Sequence, residues 1–144
     1  MILLDANALI SLMRGQPAAQ EVAALLRDGD CAIPAACLAE VVDLLVRTYG
    51  VEPLTLSERL GALIDEVVPV LPADQRIAWR AGELHATHYH RVRAPLSLAD
   101  CLLLATAEPD DRIATADAAV VATAQKLGIA ATPLLDSQGN MPAP

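Results

Sequence analysis

Four acidic residues, far apart in the chain, occupy positions from which metal-assisted chemistry can be built. Asp5 directly follows the apolar run Ile2-Leu3-Leu4, and Asp117 follows Arg112-Ile113-Ala114-Thr115-Ala116. Both therefore fall at the carboxyl end of a strand candidate, where open α/β sheets gather their ligands. Glu40 lies in Leu38-Ala39-Glu40-Val41-Val42-Asp43-Leu44-Leu45-Val46-Arg47, a segment with helical spacing, and Asp100 sits three residues beyond Ser97 at the start of another. Four carboxylates at one rim repel: two of them about 5 Å apart cost about 3 kcal/mol at an effective dielectric of about 20. Such a group calls for cations or partial protonation, and hard oxygen donors select Mg²⁺ or Mn²⁺.

Each acid also has a local reading. Asp5 or Asn7 can cap a helix entered at Ala8, Asp117 can cap the helix after it, and Ser97 with Asp100 fits a capping box. Glu40, Asp43 and Arg47 share one helical stripe and fit a solvated face with an Asp43–Arg47 ion pair. The readings are compatible, since a carboxylate in a first helical turn is held ionised by the helix dipole, the form a metal ligand needs. The combination favours a site, because a parallel sheet can bring all four segments to one edge.

The elements that must do this alternate. Strand candidates are 2–4, 31–33, 67–71, 112–115 and, less strongly patterned, 131–135; helical spacing runs over 17–27, 35–49, 57–66, 73–89, 97–107 and 118–127. Pro17 suits a first helical turn, Ser97 an N-cap and Gly128 a left-handed C-terminal cap. Alternation of this kind predicts an α/β protein with a mostly parallel sheet covered by helices on both faces. Residues 136–144, polar with Gly139 and two prolines, read as a flexible C-terminal tail to a single domain over 1–135.

Composition narrows the class. With 54% apolar and 19% charged residues the chain is a folded globular protein rather than a disordered one. Three cysteines without a C-x-x-C pair fit reduced thiols in the cytoplasm, the start lacks a basic leader, and no apolar stretch approaches membrane-spanning length. The net charge of −8 excludes nucleic-acid binding by bulk electrostatics. Only Arg80 to Arg93 forms a basic cluster, from which Arg80, Arg91 and Arg93 could guide a phosphate backbone; His85 and His88 in it lack the cysteine partners of a structural zinc site.

The ordered set Leu3-Leu4-Asp5-Ala6-Asn7-Ala8-Leu9, Leu38-Ala39-Glu40-Val41-Val42, Leu96-Ser97-Leu98-Ala99-Asp100-Cys101 and Thr115-Ala116-Asp117 resembles the PIN-domain nucleases, more narrowly the VapC-like toxins of toxin–antitoxin pairs. The resemblance spans Met1 to about Leu135. It implies a three-layer α/β/α sandwich with a sheet of four or five strands, in which Asp5, Glu40, Asp100 and Asp117 hold one or two Mg²⁺ or Mn²⁺ ions for hydrolysis of RNA. It implies that Asn7 orients a water or phosphate oxygen and that Thr115 supports the last acid. It further implies a cytoplasmic homodimer neutralised by a cognate antitoxin whose peptide enters an apolar groove among the N-terminal helices. Val120 departs from the pattern, since relatives often carry an aromatic residue there.

Two other readings compete. Phosphoryl transfer through an aspartyl phosphate at Asp5 also favours a strand-end Asp, but Asn7 stands where that chemistry would want a second Asp. An inactive PIN-like binding module would need no acids, yet all four are retained.

Overall fold

The computed structural model describes residues 1–143 and forms one five-stranded sheet, all parallel. In chain order the elements are β1 (Ile2–Leu4), α1 (Ala6–Arg14), α2 (Ala19–Asp28), β2 (Cys31–Pro34), α3 (Ala35–Asp43), a π-helical turn (Leu44–Thr48), α4 (Pro53–Glu66), β3 (Val70–Leu71), α5 (Gln75–His88), α6 (Leu98–Thr106), β4 (Arg112–Thr115), α7 (Ala118–Leu127) and β5 (Ala130–Pro133). Spatially the strands run β3-β2-β1-β4-β5. The chain winds outward from β1 to β3, returns past it to β4 and leaves the other way. With right-handed crossovers, α1 to α4 cover one face and α5 to α7 the other, giving the three-layer α/β/α sandwich.

This order makes β1 the switch point, flanked by β2 and β4, and opens a crevice at its carboxyl end. The strands there are apolar because both faces are covered: Leu3, Leu4, Ala32, Ile33, Ile113 and Ala114 are fully buried. Gly15 and Gly128 adopt left-handed backbone (φ 64° and 73°), ending α1 and α7 without the Cβ clash that another residue would meet. Among the described residues no helix is long and apolar enough to cross a membrane.

Several boundaries differ from the sequence pattern for local reasons. The helix expected to enter at Ala8 starts at Ala6, whose amide is capped by Asp5. The strand expected over 67–71 is confined to Val70–Leu71, because the amides of Val67 and Val68 still donate to the Leu63 carbonyl at the end of α4. That helix begins at Pro53 rather than residue 57, with Glu52 accepting from the Thr55 amide. The helix expected over 35–49 changes to π geometry after Asp43, so one residue is inserted into its register. Beyond β5 the Asp136 carboxylate accepts from the amides of Gln138 and Asn140, each at 2.8 Å, in a local turn.

Candidate active site

Asp5 is the anchor of the site. It leaves β1 and caps α1, and its side chain is buried. Its Oδ1 accepts from the Ala6 amide at 2.7 Å, while Oδ2 accepts from the Thr115 hydroxyl at 2.6 Å and the Asn7 amide at 2.8 Å. Thr115, the last residue of β4, in turn accepts from the Asp117 amide at 2.9 Å. Asn7 Oδ1 accepts from the Ala116 amide at 3.0 Å. One network thus ties the ends of β1 and β4 together, and it commits both ends of the Asn7 amide. Asn7 thereby braces the two strand ends while its side chain also lines the cavity.

Asp117 caps α7, its Oδ1 accepting from the amides of Ala119 and Val120 at 2.6 and 3.0 Å. Asp100 opens α6 in a capping box: its Oδ2 accepts from the Ser97 amide at 2.6 Å and its amide donates to Ser97 Oγ at 3.0 Å. In each case one carboxylate oxygen holds the helix while the other makes no hydrogen bond among the described residues. Glu40, one turn into α3, has both oxygens uncommitted. The local and functional readings therefore coexist, since capping fixes the side chain and leaves an oxygen to spare.

Asp5, Glu40, Asp100 and Asp117 line one cavity of about 160 Å³, with Asn7 and Ser97 on its wall and Ile10 and Leu44 supplying apolar surface. The acids stand around the cavity rather than meeting at a point: among the described residues, no three Asp, Glu, His or Cys side chains already form a cation-binding group. Burial raises the Asp5 carboxyl from its ordinary 3.8 to about 7; the Thr115 hydrogen bond opposes the rise, and the Asp100 and Glu40 charges add to it. Glu40 is raised chiefly by burial and then by Asp100 and Asp117. Asp100 is raised by burial, against the two Ser97 hydrogen bonds, with Asp117 adding to the rise. Buried acids that raise one another are a donor set short of positive charge, and all their donors are hard oxygens, so the residues fit a divalent cation of the Mg²⁺ class.

Other residues singled out in the sequence lie elsewhere. Asp43 faces solvent in an ion pair with Arg47 at 2.6 Å, four residues on along the helix, and does not line the cavity. Arg80 donates to the carbonyls of Ala105 and Ala107, both at 3.4 Å, and so holds the carboxyl end of α6, opposite the end that carries Asp100. Arg91 and Arg93 lie in the exposed turn after α5, and Arg93 reaches a groove that also contains Asp117. Sequence reasoning missed Leu44 as part of the cavity wall, although it stands four residues after Glu40 on the same helical face, with its amide bonded to the Glu40 carbonyl.

The PIN-domain family model matches residues 2–113, which include Asp5, Glu40 and Asp100 and stop short of Asp117. No curated protein matches the chain. Among solved structures it is similar to FitAcB from Neisseria gonorrhoeae (27% identity, TM-score 0.66, covering 91% of this chain and 96% of that one). It is also similar to VapBC-1 from nontypeable Haemophilus influenzae (22% identity, TM-score 0.64, 92% and 97%). A third is VapC20 from Mycobacterium tuberculosis, described as a sarcin–ricin loop cleaving toxin (19% identity, TM-score 0.57, 90% and 85%). The parallel sheet, the crevice at β1 and a family match over most of the length agree, and the chain belongs to the PIN-domain family.

Proposed function

We propose that this chain is a divalent-cation-dependent endoribonuclease and the toxin of a toxin–antitoxin pair. The observation that carries the reading is the convergence of four carboxylates, from four separate segments, on one cavity at the switch point of the sheet. Asp5, Glu40, Asp100 and Asp117 would hold one or two Mg²⁺ or Mn²⁺ ions. Such a cation supplies Lewis acidity and charge neutralisation for in-line hydrolysis of a phosphodiester.

The chain's own residues do the positioning. Thr115 and Asn7 fix Asp5, Ser97 fixes Asp100, and the first turn of α7 fixes Asp117, while Glu40, with both oxygens uncommitted, is the acid left to adjust to a ligand. Asp5 is buried with four donors on its oxygens, the Cys37 thiol among them, a state that suits a ligand and hinders attack as a nucleophile, which argues against an aspartyl phosphate. RNA as substrate, and an antitoxin as partner, are supported by the relatives: VapBC and FitAB complexes and VapC20, a sarcin–ricin loop cleaving toxin, share this fold. An apolar cavity of about 300 Å³ between α3 and α4, lined by Leu38, Val42, Val46, Leu56, Leu60 and Ile64, fits the groove expected for an antitoxin peptide.

The test is cleavage of a mixed RNA pool by the purified chain with Mn²⁺, with Mg²⁺ and with excess chelator. Cleavage that needs the cation and disappears in Glu40→Gln supports the reading. Equal cleavage in chelator, or none under any condition from a folded, antitoxin-free chain, overturns it.

A further inference from the structure

We propose that a groove along α7, walled by Arg93 and Lys126, is the subsite that holds the phosphodiesters flanking the one being cut in a single-stranded RNA. The inference rests on the nuclease reading above and adds to it a substrate-binding site and a residue, Lys126, that the acidic site does not require. The groove has a volume of about 440 Å³ and includes Asp117, which also lines the carboxylate cavity, so the two spaces share a wall.

Its chemistry complements that of the acidic cavity. Ala119, Ala122 and Thr123 form a floor of small side chains on one face of α7, while Arg93 stands on the opposite bank and Lys126 at the helix's last turn. Small residues there let a polynucleotide backbone approach the helix closely. The ion pairs of the described residues are Met1–Asp111, Arg47–Asp43 and Arg76–Glu108, so neither Arg93 nor Lys126 is neutralised by a carboxylate. In a chain of net charge −8, two unpaired cations facing one trough beside the acids are a local reversal of sign. About 13 Å of helix separates Asp117 from Lys126, a span longer than one nucleotide step of a strand.

The geometry also sorts the basic cluster. Arg80 is spent on the carbonyls of Ala105 and Ala107, and Arg91 does not line the groove, which leaves Arg93 as the member of that cluster positioned to meet phosphate there. Lys126 lies outside the cluster in sequence, and only the packing of α7 beside the turn after α5 brings it opposite Arg93. Its place in the last turn also suits the helix dipole, so a purely structural role must be separated by the readout.

The experiment measures binding of a short labelled single-stranded RNA across a salt series, in the Asp100→Asn background to suppress cleavage, with and without Arg93→Gln and Lys126→Gln together. The double change is expected to weaken binding several-fold and to flatten the slope of log affinity against log salt by about 1.4, the loss of two phosphate contacts on a single strand. Arg27→Gln with Arg59→Gln, exposed on α2 and α4, removes the same charge elsewhere and is expected to change the slope little. Unchanged binding in the groove variant, an equal effect in the control pair, or no RNA binding by either chain overturns the proposal. Binding that depends on the groove in a wild-type chain that cuts no RNA would instead sink the hydrolysis reading and leave the subsite standing.

Discussion

The hydroxyl of Thr115 donates to the carboxylate of Asp5 at 2.6 Å, joining residues 110 positions apart at the ends of two neighbouring strands. The same oxygen accepts from the Asp117 amide, so one side chain holds two of the four acids in relation to each other. Thr115→Val keeps the shape and removes both bonds. It is expected to destabilise the chain by about 1–3 kcal/mol, since a buried carboxylate loses a charge-assisted hydrogen bond. Urea denaturation checks the value, and Thr115→Ser is expected to restore most of it. An unchanged unfolding midpoint would remove Thr115 from the site's support.

The burial of Asp5 makes a pH prediction for the metal-free chain. Its carboxyl is raised from 3.8 to about 7 in the folded state, chiefly by burial, so the folded form retains a proton that the unfolded form has released. The stability from this group is complete below about pH 4 and is lost as pH climbs through about 7. Unfolding free energy in chelator is therefore expected to fall across that window, with a smaller fall in Asp5→Asn. An identical pH profile for the two proteins would contradict the assigned burial penalty.

Glu40 offers the cleanest separation of chemistry from folding. It makes no hydrogen bond among the described residues, and burial followed by the Asp100 and Asp117 charges disfavours its ionised form. Glu40→Gln is expected to abolish cleavage while leaving or raising the metal-free thermal midpoint near neutral pH. Asp100→Ala is less clean, because it also dismantles the Ser97 capping box and costs about 1 kcal/mol. A Glu40→Gln protein that unfolds well below wild type would place the residue among the structural supports.

Cation binding should appear as stability. Mn²⁺ at about a hundred times its dissociation constant is expected to stabilise the wild type by about 2.7 kcal/mol. The gain should shrink sharply in Asp100→Asn and in Asp117→Asn, which retain an oxygen for capping and lose the charge. Differential scanning fluorimetry with and without Mn²⁺ measures it; an equal gain in all three proteins would move the cation elsewhere.

What the residues determined by themselves was local. Asp5 and Asp117 after apolar runs, Ser97 three before Asp100 and Gly128 after a helical stretch are each read within one or two turns of chain, because capping and strand ends depend on backbone groups a few residues away. The alternation of strands and helices fixed the layer architecture for the same reason, since each apolar face must be covered. Tertiary structure decided which distant segments meet. Nothing in the spacing places β4 beside β1, so the Thr115–Asp5 bond and the closing of the Asn7 amide onto Ala116 follow only from strand order. The shift to π geometry over Leu44–Thr48 is likewise invisible to a regular helical repeat, whereas the Asp43–Arg47 pair follows from their four-residue spacing. Charge showed the same division: the sequence clusters Arg80, Arg91 and Arg93, whereas packing sends Arg80 to the end of α6 and brings Lys126 opposite Arg93. Short-range hydrogen bonding is written in neighbouring residues; the company a side chain keeps across the fold is set by how the helices and strands pack.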